Sequence, residues 1–269
     1  MSDTLPADVA DALAATAAER GAFGARLQYF VETGSTNDLA AAAADRGAPE
    51  GTTYVAGAQT AGRGRRGREW FSPPGAGLYF STLVRRGSIE PWLTLAGGVA
   101  VAEGIRTATG LPLQIKWPND IVSVGGGGFR ARRKIAGILA EAASGTAGVH
   151  CVILGIGINV GAASFPPDLS DRAGSIETEL GRPVDAGPVL AQVLVRLNRV
   201  LAEIEHTGPP NLFTRWLELA PSATGERIEW DGPHGVERGI SAGLAEDGAL
   251  LARTSDGVAR IIAGEVRWL

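Results

Sequence analysis

The sequence predicts an α+β or α/β domain followed by a small β-rich module. Strand-like apolar runs alternate with helical segments through the middle of the chain, and the pattern changes after Ala220. The short runs that follow are separated by Asp-Gly dipeptides, at 231–232, 247–248 and 256–257. Asp-Gly between apolar runs is one of the strongest hairpin signals in a sequence. With 269 residues, 45% of them hydrophobic, the chain can bury a sizeable core.

The first predicted element in chain order is one helix over residues 3–20, which are rich in alanine and stop at Gly21. Apolar runs then predict strands over 27–31, 52–58, 78–84, 113–117, 135–140 and 151–160. Apolar residues recur every three or four positions over 189–205, which predicts a core-facing helix. A further helix is predicted over 209–219, where Pro221 follows as a stop.

Two segments outside these elements have simple structural interpretations. Residues 125–133 are rich in glycine and arginine, which predicts a flexible loop between two strands. The β-rich module after residue 220 is too short to bury much apolar surface alone. We therefore expect the module to dock on the larger domain.

The composition limits the classes of function. A net charge of -4 and a pI near 5.5 give no overall attraction to nucleic acid, so phosphate chemistry would need a local basic cluster. Cys151 is the single cysteine and lies in an apolar run, which predicts a buried side chain rather than a nucleophile. The N-terminus lacks the features of a signal peptide, and no stretch reaches the roughly 18 apolar residues of a membrane span. The cytoplasm is the expected compartment.

A local basic cluster does occur at residues 62–68, GRGRRGR, called the arginine loop below. The loop formally contains G-x-G-x-x-G, but Ser72-Pro73-Pro74 follows too soon for the helix that a dinucleotide-binding fingerprint requires. No P-loop sequence is present. Glycines let a backbone approach an anion closely while guanidinium groups bind phosphate or carboxylate. Taken alone, the loop fits anion binding and a solvated basic or RGG-like nucleic-acid-contacting role equally well.

Trp70 and Phe71 follow the arginine loop and offer a stacking surface that suits a purine base, although a core tryptophan is the commoner interpretation. Upstream of the loop, Ser35 is predicted to be the N-cap of a helix, with Asp38 at the capping-box position. Its free backbone N–H groups could also bind a polar head group. Considered by itself, this segment is only a cap.

Two lysines adjoin apolar strands. Lys116 stands beside Trp117 where the chain turns through Pro118-Asn119-Asp120, and Lys134 precedes a second apolar run. A buried lysine needs an anionic partner. Two lysines, the arginine loop and one carboxylate suit adenylation, because the α-phosphate of ATP accepts an incoming carboxylate only where positive charge and Mg²⁺ surround it. Asp120 is the candidate metal ligand.

Other catalytic chemistries have no anchor in the sequence. The three histidines, His150, His206 and His234, are scattered and show no metal-ligand spacing. No G-x-S-x-G elbow is present, so a serine hydrolase is not predicted.

Five motifs in this order, GSTND, QTAGRGRRGREW, KWPND, KIAGIL and GIGINV, resemble those of biotin protein ligases, with matches from about residue 27 to residue 160. The β-rich tail from residue 222 is similar to the small SH3-like C-terminal domain of that family. The resemblance implies an α+β fold: a mixed-sheet catalytic domain of the class II synthetase and biotin/lipoate ligase type, with a small SH3-like β-barrel after it. It places the catalytic domain at residues 1–220, with a helical extension at 1–24, and the SH3-like domain at 221–269.

The resemblance also implies roles for individual residues. It implies a biotin site formed by Ser35, Thr36, Asn37, Gln59, Arg63, Gly64, Arg65 and Lys134. It implies an ATP site formed by Arg63, Trp70, Lys116, Asn119 and Asn159. It implies catalytic roles for Lys134, Arg65 and Asp120, with Asp120 also as the candidate Mg²⁺ ligand.

The implied reaction has two steps. The carboxylate of biotin attacks the α-phosphate of ATP to form biotinyl-5'-AMP and release pyrophosphate. The amine of a lysine of a biotin carboxyl carrier domain then attacks this mixed anhydride and releases AMP. Asp120 could also accept the proton of that amine. Only about 25 residues precede the ligase motifs, so a DNA-binding domain is not expected, and neither DNA nor a membrane is an expected partner.

Two alternatives remain. A lipoate or octanoate ligase of the same fold would use the same adenylation chemistry, although the pairing of KWPND with the arginine loop favours biotin. A nucleic-acid-binding module could use the arginine loop and the small barrel, but the acidic pI argues against it.

Overall fold

The computed structural model describes residues 2–124, 132–144, 150–163, 165–232 and 235–269. It has seven α-helices among the described residues: α1 (Ala7–Ala15), α2 (Ala17–Arg20), α3 (Thr36–Asp45), α4 (Leu93–Thr109), α5 (Ile176–Leu180), α6 (Ala186–Thr207) and α7 (Pro210–Leu219). The strands of a first sheet are β1 (Leu27–Phe30), β2 (Thr53–Ala56), β3 (Gly77–Val84), β4 (Leu113–Lys116), β5 (Asp120–Ser123), β6 (Lys134–Ser144) and β7 (His150–Asn159). Those of a second sheet are β8 (Thr224–Gly232), β9 (Gly235–Leu244), β10 (Leu250–Thr254), β11 (Gly257–Ile261) and β12 (Val266–Trp268).

The first sheet is mixed. Its strand order is β1-β2-β3-β7-β6-β5-β4, in which β1 and β2 are parallel and every other neighbouring pair is antiparallel. The long hairpin of β6 and β7 therefore lies at the centre, where it is protected on both edges. This sheet and the separate antiparallel C-terminal sheet confirm the predicted α+β class.

Helices α4 and α6 cover one face of the first sheet and form most of the core. A Cβ at Gly104 would lie only 2.7 Å from the Cα of Val193, so the two helix backbones approach closely at this glycine. On the sheet side, a Cβ at Gly97 would lie 3.1 Å from Ile138 Cγ2. The opposite face of β6 and β7 is consequently left for other elements, among them α3 and the arginine loop.

The predicted elements are confirmed with small changes. All six predicted strands form, and the helices predicted over 189–205 and 209–219 correspond to α6 and α7. The single helix predicted over 3–20 was wrong: the helix breaks at Thr16, whose hydroxyl donates to the carbonyl of Ala12 at 2.8 Å. Gly21 ends α2 with a φ of 56°, as expected of a stop. Cys151 is buried, and burial raises the pKa of its thiol.

The second sheet is antiparallel throughout, in the order β11-β10-β9-β8-β12. It docks on the larger part of the chain as expected. Two indole N–H groups donate to one turn of this sheet, Trp92 to the carbonyl of Glu246 at 3.0 Å and Trp117 to that of Gly248 at 3.1 Å. Of the loop predicted over 125–133, residues 125–131 lie outside the described part. None of the described helices is long and apolar enough to cross a membrane.

Candidate ligand-binding and catalytic site

A pocket opens on the uncovered face of the first sheet, bounded by the start of α3, the arginine loop and the centre of β6 and β7. The structure brings most of the predicted site residues together in its lining: Ser35, Thr36, Asn37, Gln59, Arg63, Gly64, Arg65, Trp70, Asn119 and Lys134. Three predicted residues, Lys116, Asp120 and Asn159, do not line it. The motifs therefore converge although they are spread over a hundred residues.

The floor of the pocket is made of glycines at the centre of the sheet. A Cβ at Gly137 would lie 2.9 Å from Trp70 Cζ3, and one at Gly157 would lie 2.5 Å from Trp70 Cε2. A Cβ at Gly155 would lie 2.9 Å from Asn37 Cγ. Larger residues would fill the space that Trp70 and Asn37 now occupy. Trp70 Nε1 is buried and has no hydrogen-bond partner among the described residues.

The polar end of the pocket is the first turn of α3. Ser35 occupies the N-cap position, but neither its side chain nor that of Asp38 makes a capping hydrogen bond, so the predicted capping box does not form. Gln59 replaces it: its Oε1 accepts the backbone N–H of Thr36 at 2.9 Å and the Thr36 hydroxyl at 3.2 Å. Gln59 Nε2 donates to Ser72 Oγ at 3.0 Å, which fixes the amide.

Two residues that the sequence analysis did not select complete this end. The hydroxyl of Ser81, on β3, contacts Thr36 Oγ1 at 2.7 Å and hydrogen-bonds to Asn37 Oδ1. Glu141, on β6, accepts from Asn37 Nδ2 at 2.5 Å. The available signals were a hydroxyl in the middle of the apolar run 77–84 and a carboxylate at the end of the run 134–141. Asn37 and Ser81 are buried.

The arginine loop closes over the pocket and is held by carboxylates. Arg63 pairs with Asp38 and, at 2.9 Å, with Glu141. Burial alone would lower the pKa of Arg63, but its hydrogen bonds to these two carboxylates raise the pKa above its usual value. Arg68 pairs at 2.5 Å with Glu265, the residue immediately before β12 of the C-terminal sheet. The loop is thereby tied to both parts of the chain.

Arg65 lies deeper than its neighbours. Its Nη1 donates to Asn119 Oδ1 at 3.3 Å, and Asn119 Nδ2 donates to the carbonyl of Ile138 at 2.9 Å. Burial, followed by the nearby charge of Arg66, lowers the pKa of Arg65. A partly desolvated guanidinium that hydrogen-bonds to a neutral amide and forms no ion pair among the described residues is well placed to bind an anion.

Lys134 sits between a carboxylate and an indole ring. Its Nζ lies 2.7 Å from Asp120 Oδ1 and 5.0 Å from the centre of the Trp70 ring. Lys116 is on β4, opposite Asp120 of β5, and its Nζ lies 5.1 Å from the centre of the Trp268 ring. Burial lowers the pKa of Lys116, and the charges of Asp120 and Glu265 partly oppose this. The expected anionic partner is therefore present for Lys134, whereas Lys116 forms no ion pair among the described residues and has only the nearby charges of Asp120 and Glu265.

Asn159 lies behind Lys134 rather than in the pocket. Its Nδ2 donates to the carbonyls of Lys134, at 3.3 Å, and Gly174, at 2.9 Å. These bonds fix the backbone at the start of β6. In the described part of the chain, no three His, Cys, Asp or Glu side chains come together as a metal cluster. A metal here would have Asp120 and ligand oxygens as its donors.

The arrangement has two chemically distinct ends. Hydroxyl and amide groups at α3 can bind a neutral polar ring, and Arg63, Arg65 and Lys134 can bind a carboxylate together with a phosphate. The glycines between these ends let Trp70 and Asn37 lie close against the sheet, which keeps the pocket beside them open.

Comparison with known proteins agrees with this geometry. Residues 30–159 match the biotin/lipoate A/B protein ligase family, and residues 224–267 match the biotin protein ligase C-terminal domain. The bifunctional ligase/repressor BirA of Bacillus subtilis is 34% identical over 248 residues, which cover 90% of this chain and 74% of the relative. The biotin acetyl-CoA-carboxylase ligase of Mycobacterium tuberculosis is 30% identical over 249 residues, which cover 90% and 88% of the two chains.

A similar solved structure is that of the biotin protein ligase from Aquifex aeolicus in complex with biotin and ATP. It superposes with a TM-score of 0.77 at 31% sequence identity and covers 91% of this chain and 99% of its own. The likeness thus extends over both sheets.

Proposed function

The chain belongs to the biotin/lipoate A/B protein ligase family, and we propose that the pocket under the arginine loop carries its reaction. It is an ATP-dependent biotin protein ligase, which forms biotinyl-5'-AMP and then transfers the biotin to a carboxylase. The main observation in support of assigning the reaction to this pocket is that its lining contains both a neutral polar end at α3 and the cationic groups of Arg63, Arg65 and Lys134.

Biotin binds with its ureido ring at the start of α3 and its carboxylate toward Lys134. The ureido group has both donors and a carbonyl acceptor, which match the hydroxyls of Ser35 and Thr36 and the amides of Asn37 and Gln59. The ring system lies beside Trp70 and Asn37, which lie close against the sheet because Gly137, Gly155 and Gly157 have no side chains. Gly64 lets the loop backbone approach the ligand.

Adenylation occurs at the cationic end. The biotin carboxylate and the α-phosphate of ATP repel each other, and Lys134 and Arg65 offset this repulsion as negative charge gathers on the phosphate. Arg63, now paired with Asp38 and Glu141, turns to the carboxylate or phosphate when ligand arrives. Trp70 flanks the adenine, Lys116 and Asn119 complete the nucleotide site, and Asn159 supports it from behind by holding the backbone at Lys134.

Mg²⁺ fits the donors present. Mg²⁺ is commonly held by one or two carboxylates together with substrate phosphates. Asp120 supplies one carboxylate beside Lys134, and the triphosphate would supply the remaining oxygens. When bound, the ion would neutralise phosphate charge. In the second step Asp120 accepts a proton from the attacking amine of the acceptor lysine.

The acceptor is the biotin carboxyl carrier domain of an acyl-CoA carboxylase, as the names of the carboxylase ligases among the relatives suggest. We assign residues 1–220 to the catalytic domain, with residues 1–24 as a helical extension, and residues 221–269 to the SH3-like domain. The cytoplasm, which supplies ATP and keeps the lone Cys151 reduced, is the proposed compartment.

ATP-pyrophosphate exchange tests the proposal. Purified protein with Mg²⁺ is expected to catalyse exchange with biotin and not with lipoate or octanoate. The Lys134→Ala variant is expected to lose activity by about 10²–10³-fold, the usual effect of removing one preorganised donor. Exchange that needs lipoate instead, or full activity in the variant, would contradict the proposal.

A further inference from the structure

Glu141 stands at the rim of the pocket, near the end of β6, and a single oxygen of its carboxylate meets two groups of the site. Its Oε2 accepts from Asn37 Nδ2 at 2.5 Å and from Arg63 Nη2 at 2.9 Å. The Glu141 side chain is 36% exposed and lines the adjoining cavity under the arginine loop rather than the pocket at α3. The reaction described above gives this residue no role.

The carboxylate determines which way the amide of Asn37 faces. An ionised carboxylate can only accept hydrogen bonds, so the amide group facing Glu141 is the NH₂ group. The carbonyl Oδ1 of Asn37 then faces the hydroxyl of Ser81, which has one hydrogen and donates it there. The Ser81 hydroxyl also lies 2.7 Å from Thr36 Oγ1, whose own hydrogen is donated to Gln59 Oε1.

Asn37 itself borders the ligand space. It lines the pocket directly over Gly155, where a Cβ would come within 2.9 Å of Asn37 Cγ. One of the two hydrogens on Nδ2 is used by Glu141, and the other remains for a ligand. Without the carboxylate, the amide could rotate by half a turn and offer an oxygen where an N–H now stands.

We propose that Glu141 is a positioning residue for biotin, acting through Asn37: it fixes the amide so that an N–H group faces the ureido carbonyl. The inference rests on the proposed function, since it assigns the polar end of the pocket to the ureido ring. The same oxygen of Glu141 also pairs with Arg63. The effect of Glu141 on Asn37 must therefore be measured separately from its effect on Arg63.

Asp38 supplies the matched control. It pairs with Arg63 as Glu141 does, but among the described residues it makes no hydrogen bond to the side chain of Asn37. A substitution at Asp38 therefore removes one counter-ion of Arg63 and leaves the amide of Asn37 held.

The experiment measures kcat and the KM values for biotin and for ATP in pyrophosphate exchange, for Glu141→Leu, Glu141→Ala, Glu141→Gln and Asp38→Asn. The Leu and Ala variants are expected to raise the KM for biotin about tenfold or more, because they remove a hydrogen bond to a charged group. The KM for ATP should change less than about twofold. Gln keeps an acceptor for Asn37 and should restore the KM for biotin to within about threefold of wild type.

Three results would overturn the inference while the wild-type protein still shows biotin-dependent exchange. The first is an unchanged KM for biotin in both Glu141→Leu and Glu141→Ala. The second is an equal rise in Asp38→Asn, which would place the effect on Arg63. The third is an equal rise in the KM for ATP. Wild-type protein without biotin-dependent exchange would instead overturn the proposed function, and this inference with it.

Discussion

A methyl group added to the floor of the pocket should displace Trp70. In Gly157→Ala the new Cβ would lie 2.5 Å from Trp70 Cε2, about 1 Å closer than ordinary contact. The indole lies over both Gly157 and its cross-strand partner Gly137, where a Cβ would lie 2.9 Å away, so it must shift or tilt away from the sheet. Overpacking of this kind costs about 1–3 kcal/mol, and a misplacement of about 1 Å at a reacting centre can reduce the rate about 10²-fold.

The assay is pyrophosphate exchange at saturating and subsaturating biotin, with thermal unfolding of the same preparations. Gly98→Ala is the matched control, because its Cβ would meet Ile115 Cδ1 at 3.5 Å, an ordinary contact between α4 and β4. We expect Gly157→Ala to lose stability and exchange activity, and Gly98→Ala to keep both. Wild-type stability and activity in Gly157→Ala would refute the inference that Trp70 forms the wall of the pocket.

Two further predictions concern charged groups beside the pocket. Asp120→Asn removes the carboxylate that lies 2.7 Å from Lys134 Nζ. The exchange reaction should then need more Mg²⁺, and transfer of biotin to the acceptor should slow. An unchanged Mg²⁺ dependence and transfer rate would exclude Asp120 as metal ligand and as proton acceptor. Burial lowers the pKa of Lys116 in the folded protein from its usual 10.5. At pH values between the folded and the unfolded pKa of this lysine, the unfolded chain therefore binds more protons than the folded protein. Stability should therefore rise with pH across that window, and Lys116→Met should flatten the rise measured by urea unfolding, whereas an equal rise in both proteins would contradict the assignment.

The sequence predicted the elements that have a simple pattern and missed those determined by packing. Helix α4 was not predicted for two reasons. Gly97, Gly98 and Gly104 lower its helix propensity, and its buried residues lie on all sides of the helix instead of along one face. The structure explains both features, since α4 lies between the sheet and α6, and the glycines allow the close approach. Strand β5 was also not predicted, because it has only four residues and is defined by its pairing with β4 and β6.

The same distinction between local pattern and packing applies to the residues of the site. Residues that adjoin in the chain, such as those at 35–37 and 116–120, could be selected from local motifs. Glu141 and Ser81 lie inside apolar strands, and they join the site only because β6 and β3 bring them to the start of α3. The role of Gln59 as a substitute cap likewise depends on a contact across 23 positions. Such contacts have no local signature.

The central claim is that Lys134 and its neighbouring arginines activate biotin in this pocket. Mass spectrometry of the small molecules retained by the protein after mixing with biotin, ATP and Mg²⁺ tests it most directly. The account predicts biotinyl-5'-AMP on the wild-type protein and little or none on Lys134→Ala. Equal amounts of adenylate on both proteins, or none on the wild type, would contradict it.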